Sequence, residues 1–151
     1  MLFRSSVQTH YNNTVLNKAR ADGNYQRMTI ANRAVENFAA IPSASFLTDA
    51  VTNIRENLEG EVAVGLRTAD DAQKLFDRAV KDVPVRAMES YIQRDPNAAY
   101  EMLSQPEYQS LHTALGPEHA RLLQSAADTR DRKSTRLNSS HVSESRMPSS
   151  A

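Results

Sequence analysis

The sequence predicts an all-α fold, an irregular bundle or a short array of helical hairpins, followed by a disordered C-terminal tail. Apolar residues recur at intervals of three and four through residues 1–130, which is the period of a helix with one buried face. No window shows the strict alternation that a half-buried strand would need. Glycine, proline and capping residues interrupt the apolar stripes at intervals that suit helix ends.

The first half of the chain predicts three helices. The first is expected to end near Gly23, because glycine adopts the backbone conformation of a helix C-terminus without strain. The second is expected to end before Pro42, and Gly60 and Gly65 weaken the continuation of the third. The three apolar stripes are Val7, Tyr11, Val15 and Ala19; then Met28, Ala31, Val35, Phe38 and Ala39; then Leu47, Ala50, Val51, Ile54 and Leu58.

The second half predicts shorter helices with stronger boundary signals. Thr68–Asp71 is an N-cap followed by acids, which a helix N-terminus favours. Pro84 suits the first position of a further helix, and Asp95–Pro96 suits a cap and first residue. Breaks are also expected at Ser104–Pro106 and Gly116–Pro117. The residues expected to face the core include Leu75, Phe76, Val80 and Val83 at its centre, and Ala120, Leu123, Ala126 and Ala127 in the last helix.

Composition excludes several classes of function. Residues 1–130 hold 14 Lys and Arg against 16 Asp and Glu, so they lack the basic excess of a dedicated nucleic-acid-binding domain. The absence of cysteine excludes disulfides, thiolate zinc sites and cysteine nucleophiles. The longest uncharged apolar stretch, residues 37–48, is too short to cross a membrane. The N-terminus has no apolar region typical of a signal peptide.

The polar residues give no motif for catalysis, cofactor binding or metal binding. His112 and His119 are seven residues apart, but Gly116–Pro117 breaks any helical face that they could share, and His10 stands alone. We therefore expect surface or boundary histidines. Paired acids are expected at helix starts because of the helix dipole, without an acid or base role in catalysis. These acids are Glu59, Glu61, Asp70 and Asp71.

One short segment resembles the catalytic element of lytic transglycosylases, in which a Glu-Ser pair precedes a Pro-x-Ala element. Glu89–Ser90 and Pro96–Ala98 are similar to it. The spacing is about two residues too long, and the Gly-Leu-Met-Gln element expected next is absent. We therefore place Glu89 on a solvent-facing helix surface.

Residues 70–130 resemble the helical repeat segments of large virion proteins of tailed phages, the internal or ejection proteins and their prophage copies. A long helix ends in Asp-Pro, and an Ala-x-x-x-Leu segment, a Tyr-x-x-Leu turn and an Arg-Leu-x-x-x-Ala segment follow. The resemblance implies a structural role. The matching residues are Asp95, Pro96, Ala99, Leu103, Tyr108, Leu111, Arg121, Leu122 and Ala126.

Residues 131–151 resemble a translated sequencing adapter. Seven of the 21 residues are serine, and the few apolar residues have no helical or strand period. Asp131–His141 can be back-translated into one constant part of an adapter, and Ser145–Ala151 into the far constant part. The codons from Val142 to Glu144 then supply the variable index between them. We therefore interpret the tail as an artefact, and residues 1–130 as a helical domain from a longer chain.

The sequence thus predicts a non-catalytic structural or interaction segment of a phage or prophage virion protein. Its expected partners are other protein chains, or further copies of itself, bound through helix faces; no nucleic acid or cofactor is expected. The alternative is the helical accessory region of a peptidoglycan lytic transglycosylase. A Glu-Ser…Gly-Leu-Met-Gln module in an extended reading frame would favour that alternative.

Overall fold

The computed structural model describes the backbone of residues 2–146 and the side chains of residues 12–136. Within that range the fold is all-α, as the sequence predicts. Six helices are joined by short connections, and a single 3-10 turn, Pro106–Tyr108, precedes the fifth helix. The helices are α1 (Leu2–Ala40), α2 (Ala44–Ala63), α3 (Ala69–Arg94), α4 (Pro96–Ser104), α5 (Gln109–Leu115) and α6 (Glu118–Arg146).

The predicted break at Ser104–Pro106 is confirmed, because α4 ends at Ser104 and a 3-10 turn begins at Pro106. Four further predicted breaks are confirmed, and each has a local cause. Pro42 lies in the connection between α1 and α2. The Thr68 hydroxyl accepts a hydrogen bond from the Asp71 amide at 3.1 Å, and the Asp95 carboxylate accepts one from the Ala98 amide at 3.1 Å. These bonds satisfy amides that a helix N-terminus leaves without partners. Gly116 has a φ of 56°, which reverses the chain between α5 and α6 at little cost for glycine.

The predicted break at Gly23 is wrong, because α1 runs through it without interruption. Glycine within a helix costs roughly 0.5–1 kcal/mol relative to alanine. Here the missing side chain makes room for a neighbouring helix: a Cβ at Gly23 would lie 1.9 Å from the Glu61 Oε1 atom. The glycine therefore serves close packing between α1 and α2, and does not end a helix.

The predicted start of a helix at Pro84 is also wrong, because α3 continues from Ala69 to Arg94 with Pro84 inside it. Proline has no amide hydrogen, so the Val80 carbonyl one turn earlier loses its helical partner. Val80 is 36% exposed, so solvent can reach this part of the helix. Pro84 itself is buried with its neighbours in the core. Tertiary packing on both sides of the proline holds α3 together.

The helices form one continuous core. α1 contacts α2 and α3, α4 contacts α6, and α3 contacts all the other α-helices. Phe38 and Tyr91 meet edge to face with ring centroids 5.8 Å apart, which ties α1 to the C-terminal half of α3. The largest fully buried side chains come from five of the six helices: Phe38, Leu58, Met88, Ile92, Leu103 and Leu122.

The core centre lies further along the chain than the sequence suggests. Val83 is buried, but Leu75 and Phe76 are only partly buried and Val80 is exposed. Ala87, Met88 and Ile92 hold the central positions of α3 instead. Met28 and Ala120, both predicted to face inward, are exposed as well. Along α3, the apolar stripe fixes a face of the helix, whereas the neighbouring helices fix which turns are covered. Met28 differs, because it lies off the buried face of α1 although Arg27 and Ala31 beside it are buried.

The C-terminal part of α6 adds nothing to this core over the described side chains. All side chains from Asp131 to Arg136 are exposed, as expected of the predicted tail. The α6 backbone continues as a helix to Arg146, and Lys133 Nζ donates a hydrogen bond to the Gln93 carbonyl at 2.8 Å. The packing of side chains 137–151 and the backbone beyond Arg146 lie outside the described residues. Between residues 2 and 146, none of the helices has the length and hydropathy needed to cross a membrane.

Candidate functional site

A buried charged cluster joins α1 to the C-terminal end of α2. Arg27 Nη1 lies 2.7 Å from Glu61 Oε1, and Arg67 Nε lies 2.7 Å from Glu61 Oε2. The single carboxylate therefore accepts hydrogen bonds from two guanidinium groups. Arg27 belongs to α1, and Arg67 belongs to the connection between α2 and α3. Gly23 provides the space for this carboxylate. The prediction that Glu61 belongs to a helix start is wrong, because it lies in the last turn of α2 and its side chain is almost fully enclosed.

The hydrogen bonds around the cluster satisfy its polar groups. Arg27 also donates to Asn24 and, at 2.7 Å, to Asn57 Oδ1. No buried side-chain nitrogen or oxygen of the described residues lacks a partner. Burial alone raises the pKa of Glu61, but hydrogen bonds and charges from Arg67 and Arg27 outweigh it, so the pKa is lowered overall. The cluster is thus a clamp between α1 and α2.

Two histidines meet where α5 turns into α6. The rings of His112 and His119 have centroids 4.3 Å apart and are tilted by 46°. Gly116–Pro117 does break the helical face that the two histidines could have shared, but the positive φ of Gly116 folds α6 back beside α5 and brings the rings together. Two residues that are seven positions apart, with Gly-Pro between them, can meet in this way across a tight turn.

Each of these imidazoles is fixed to the end of α4. His112 Nε2 lies 3.1 Å from the Met102 carbonyl oxygen, and His119 Nε2 lies 2.8 Å from the Leu103 carbonyl oxygen. A carbonyl can only accept, so both Nε2 atoms carry a hydrogen. The pair therefore satisfies carbonyls in the last turn of α4. Among the described side chains, no group of three His, Cys, Asp or Glu residues is placed to hold a metal ion. The side chain of His10 lies outside them.

Glu89, the residue singled out by the transglycosylase resemblance, forms a surface ion pair. Its Oε1 atom lies 2.9 Å from Arg121 Nη2, and the Glu89 side chain is 47% exposed. Arg121 also pairs with Glu118, and the hydrogen bonds that its guanidinium donates to Glu118 and then to Glu89 raise the pKa of Arg121. Glu89 thus lies on an exposed surface, where it links α3 to α6.

Asp70 and Asp71 lie in the first turn of α3, as predicted for acids at a helix start. Asp70 forms an exposed ion pair with Lys74, with 3.2 Å between Oδ2 and Nζ, and the Asp71 amide donates to the cap at Thr68. Glu59 differs from these acids, because it lines a groove between α2 and α3.

An open groove lies between α2 and α3. It has a volume of about 500 Å³. Arg55 lies over the Phe76 ring at 4.5 Å from the centroid, and Gln73 donates a hydrogen bond to Asp77 at 2.8 Å. The groove thus combines an apolar floor with a charged rim. Its lining residues are Arg55, Leu58, Glu59, Val62, Ala69, Ala72, Gln73 and Phe76.

Comparison with family models, characterised proteins and solved structures finds no match to this chain. The resemblances of residues 70–130 and 131–151 therefore stay predictions. The charged cluster, the histidine pair and the groove were all missed by sequence reasoning. Only the histidine pair could have been predicted, from the spacing of the two residues around a glycine. The charged cluster and the groove depend on which turns of α1, α2 and α3 face each other, and the sequence does not show this.

Proposed function

We propose that residues 1–130 form a non-catalytic structural or interaction segment of a phage or prophage virion protein. The resemblance of residues 70–130 to virion proteins suggests the class of protein. The exposed surfaces of the fold suggest that it acts by binding other protein chains. The single observation that carries the proposal is an uncovered pair of surfaces: α1 extends beyond its partner helices, and an apolar groove between α2 and α3 stays open. Such surfaces suit binding between protein chains.

The polar chemistry of the chain supports the same proposal. Glu61 serves as a clamp between helices, and His112 and His119 serve as hydrogen-bond donors to the end of α4. Glu89 is held in an exposed ion pair with Arg121. An acid in a glycosidase-type mechanism works from a shielded site, where its proton is retained until it is needed. Glu61, Glu89 and the two histidines thus have structural roles in this proposal.

The proposal is tested in purified particles. Virus-like particles from the sample that supplied the DNA are separated on a density gradient, and peptides from residues 20–130 are sought by mass spectrometry. We expect these peptides to peak with the major capsid protein and to be depleted in soluble fractions. Peptides confined to soluble fractions would contradict a virion role.

Reading the source DNA past the Arg130 codon is an independent test of the same proposal. We expect the frame to continue into further helical sequence. A Glu-Ser…Gly-Leu-Met-Gln module in that frame, together with peptidoglycan cleavage by the extended protein, would replace the proposal with the transglycosylase alternative. In that case Glu89→Gln tests whether this segment takes part, because the substitution removes the carboxylate and keeps the side-chain shape.

A further inference from the structure

The side of α1 that faces away from α2 and α3 is uncovered. The opposite side carries buried residues such as Ala31 and Phe38 and packs against both neighbouring helices. On the uncovered side, Tyr25 and Met28 are 67% and 52% exposed, the highest values among the large apolar side chains described on α1. Tyrosine and methionine are enriched at interfaces between protein chains. This part of α1 therefore has the composition of an interaction surface.

Four charged residues share the uncovered side of α1 and alternate in sign along it. At 100° per residue they fall within about 60° of one another around the helix, and about 120° or more from the buried Arg27. All four are exposed, and none of them forms an ion pair or a side-chain hydrogen bond with another described residue. They are Lys18, Asp22, Arg33 and Glu36, with the signs plus, minus, plus and minus in that order.

The two other charged residues between positions 18 and 36 are bound within the chain. Arg20 Nε donates a hydrogen bond to the Leu66 carbonyl at 2.8 Å, and Arg27 Nη1 lies 2.7 Å from Glu61 Oε1. The four residues on the uncovered side are therefore all the charges that this stretch offers to a partner. Their formal charges sum to zero, so attraction to a partner depends on the order of the charges along the helix and not on net charge.

The signs of these charges match when two copies of α1 lie antiparallel. A pair between Lys18 and Glu36 of a second copy places a two-fold axis at residue 27, halfway between them. A pair between Asp22 and Arg33 places the axis between residues 27 and 28. The two positions differ by half a residue, or about 0.8 Å along the helix, so one arrangement forms both pairs. A parallel arrangement would place each charge opposite its own copy, where like charges repel.

The exposed apolar residues lie at the same axis, although the charges alone fix its position. Tyr25 and Met28 are within three residues of it in the sequence. Tyr25 lies about 20° and Met28 about 80° around the helix from Lys18, so the apolar and charged residues share one broad face. The antiparallel arrangement thus collects two tyrosines and two methionines at its centre and places the ion pairs towards its ends. An apolar centre with a polar rim is the anatomy of a protein interface.

We propose that the chain forms an antiparallel two-fold dimer through the uncovered side of residues 18–36 of α1. This proposal rests on the proposed function as an interaction segment and names its partner as a second copy. The contact is isologous, because the same surface serves both copies, so association closes at the dimer. The shared helix length is about 29 Å. Since the contact is small, we expect a dissociation constant between about 1 µM and 1 mM.

Sedimentation equilibrium of the full 151-residue chain tests the proposal. We expect the weight-average mass to rise from 16.8 kDa at low micromolar concentration towards twice that value near millimolar concentration, and no further. The dissociation constant should rise between low salt and 1 M salt, since screening at that ionic strength limits charge effects to about 3 Å. A chain that stays monomeric throughout this range would overturn the proposal. Growth beyond a dimer would overturn the closed two-fold contact.

Reversing single charges tests the ion pairs. Lys18→Glu places a glutamate opposite Glu36 at both ends of the dimer and should weaken association by about tenfold or more. Glu36→Lys should have the same effect. The double variant Lys18→Glu/Glu36→Lys restores both pairs with their signs exchanged, so its dissociation constant should return to within about threefold of the wild-type value. In a parallel dimer each charge would meet its own copy before and after reversal, so single variants that associate like the wild type would overturn the antiparallel arrangement.

Two control variants make the same charge changes elsewhere. Lys81→Glu on α3 and Glu56→Lys on α2 alter exposed side chains that form no ion pair with a described residue. Both should associate like the wild type. Losses as large as those of Lys18→Glu and Glu36→Lys would mean that net charge governs association, and would overturn the proposed pairs.

Mixing the two single variants is the decisive experiment. Lys18→Glu and Glu36→Lys each repel their own copies, but a mixed dimer pairs the glutamates of one chain with the lysines of the other at both ends. An equimolar mixture should form a one-to-one dimer at least as tightly as the wild type. A mixture that stays monomeric at concentrations where the wild type dimerises would overturn the contact.

A substitution at Tyr25 tests the apolar centre of the contact. Tyr25→Asp places a charge next to the two-fold axis and should weaken association by about tenfold or more, because a charge without a partner is costly to bury. Val64→Asp is its control, since Val64 is 71% exposed and lies in the connection between α2 and α3. Circular dichroism should show the same helix content in both variants. A Tyr25→Asp chain that dimerises as tightly as the control would overturn the role of this face.

The outcome is independent of the test in particles. A monomeric chain whose peptides co-purify with particles would overturn the dimer through α1 and leave the virion role in place. A chain that dimerises as described but is absent from particles would have the opposite meaning.

Discussion

Two clusters of arginine and glutamate lie in opposite surroundings and show how burial changes the role of the same ion pairs. Arg27, Glu61 and Arg67 have side chains only 10%, 7% and 15% exposed, whereas Arg121 and Glu89 are 53% and 47% exposed. In the exposed pair, water already solvates each charge, so the contact contributes little to stability. In the buried cluster, each charge depends on its partners, so removing one partner leaves another without compensation.

The largest effect is expected from Arg27→Ala. The substitution leaves the Glu61 carboxylate buried with a single guanidinium partner, and it removes the contacts that Arg27 makes between α1 and α2. We expect the free energy of unfolding to fall by about 3–5 kcal/mol, measured by urea denaturation. Arg121→Ala is the control at the exposed cluster and should cost about 0–1 kcal/mol. Equal losses for both variants would mean that burial does not distinguish the two clusters.

Substitutions of two helical glycines, Gly23 and Gly60, test the buried cluster with a smaller expected effect. Gly23→Ala should destabilise by about 1–3 kcal/mol, because the new Cβ displaces the Glu61 carboxylate from its two arginines. Gly60→Ala is the matched control, since Gly60 is also inside a helix but has nothing within 4 Å of a Cβ. It should stabilise by roughly 0.5–1 kcal/mol through helix propensity and chain entropy. Thermal unfolding of both variants checks the expected difference in sign.

Lowering the pH should reduce the contribution of the buried cluster to the free energy of unfolding over a defined pH range. The pKa of Glu61 is lowered in the folded protein from the ordinary value of 4.5, so the unfolded chain takes up the proton first as pH falls. The stability from this group is therefore complete above pH 4.5 and is lost as pH falls through the lower folded pKa. Urea denaturation between neutral pH and pH 3 should show a smaller pH dependence for Glu61→Gln than for the wild type. An unchanged pH dependence in that variant would contradict the role of Glu61.

The smallest effect is expected from Glu89→Gln. This variant keeps the size of the side chain and removes one of the two acids that pair with Arg121. Because the group is half exposed, the change in the free energy of unfolding should be about 0–1 kcal/mol. Urea denaturation at low and high salt measures both the change and its screening. A loss above about 2 kcal/mol would show that the α3–α6 contact depends on this pair.

The sequence predicts the features that depend on neighbouring residues in the chain. The caps at Thr68 and Asp95, the proline at position 42 and the left-handed Gly116 act through bonds within a few residues, so their signals are local. Gly23 misleads for the opposite reason. It has the residue type of a helix end, but its role is set by Glu61, 38 residues away in the sequence.

The interior of α3 shows a second limit of sequence reasoning. Pro84 is read as a helix start because its ring suits that position, yet core packing on both sides keeps the helix continuous. Val80 falls on the predicted apolar stripe, but no neighbouring helix covers it fully, so its side chain stays exposed. The candidate surfaces could not be predicted for the same reason. A projection and a groove are defined by where other helices end.

The position of α3 has a consequence for how the molecule opens. α3 contacts each of the other five α-helices, so neither the α1–α2 side nor the α4–α6 side can separate without exposing part of it. Hydrogen exchange reports such openings amide by amide, and segments that open together share one free energy. The amides of α2 and of the buried part of α6 should therefore exchange through a common, near-global event. The fold then behaves as one cooperative unit, although its helices divide visually into two groups.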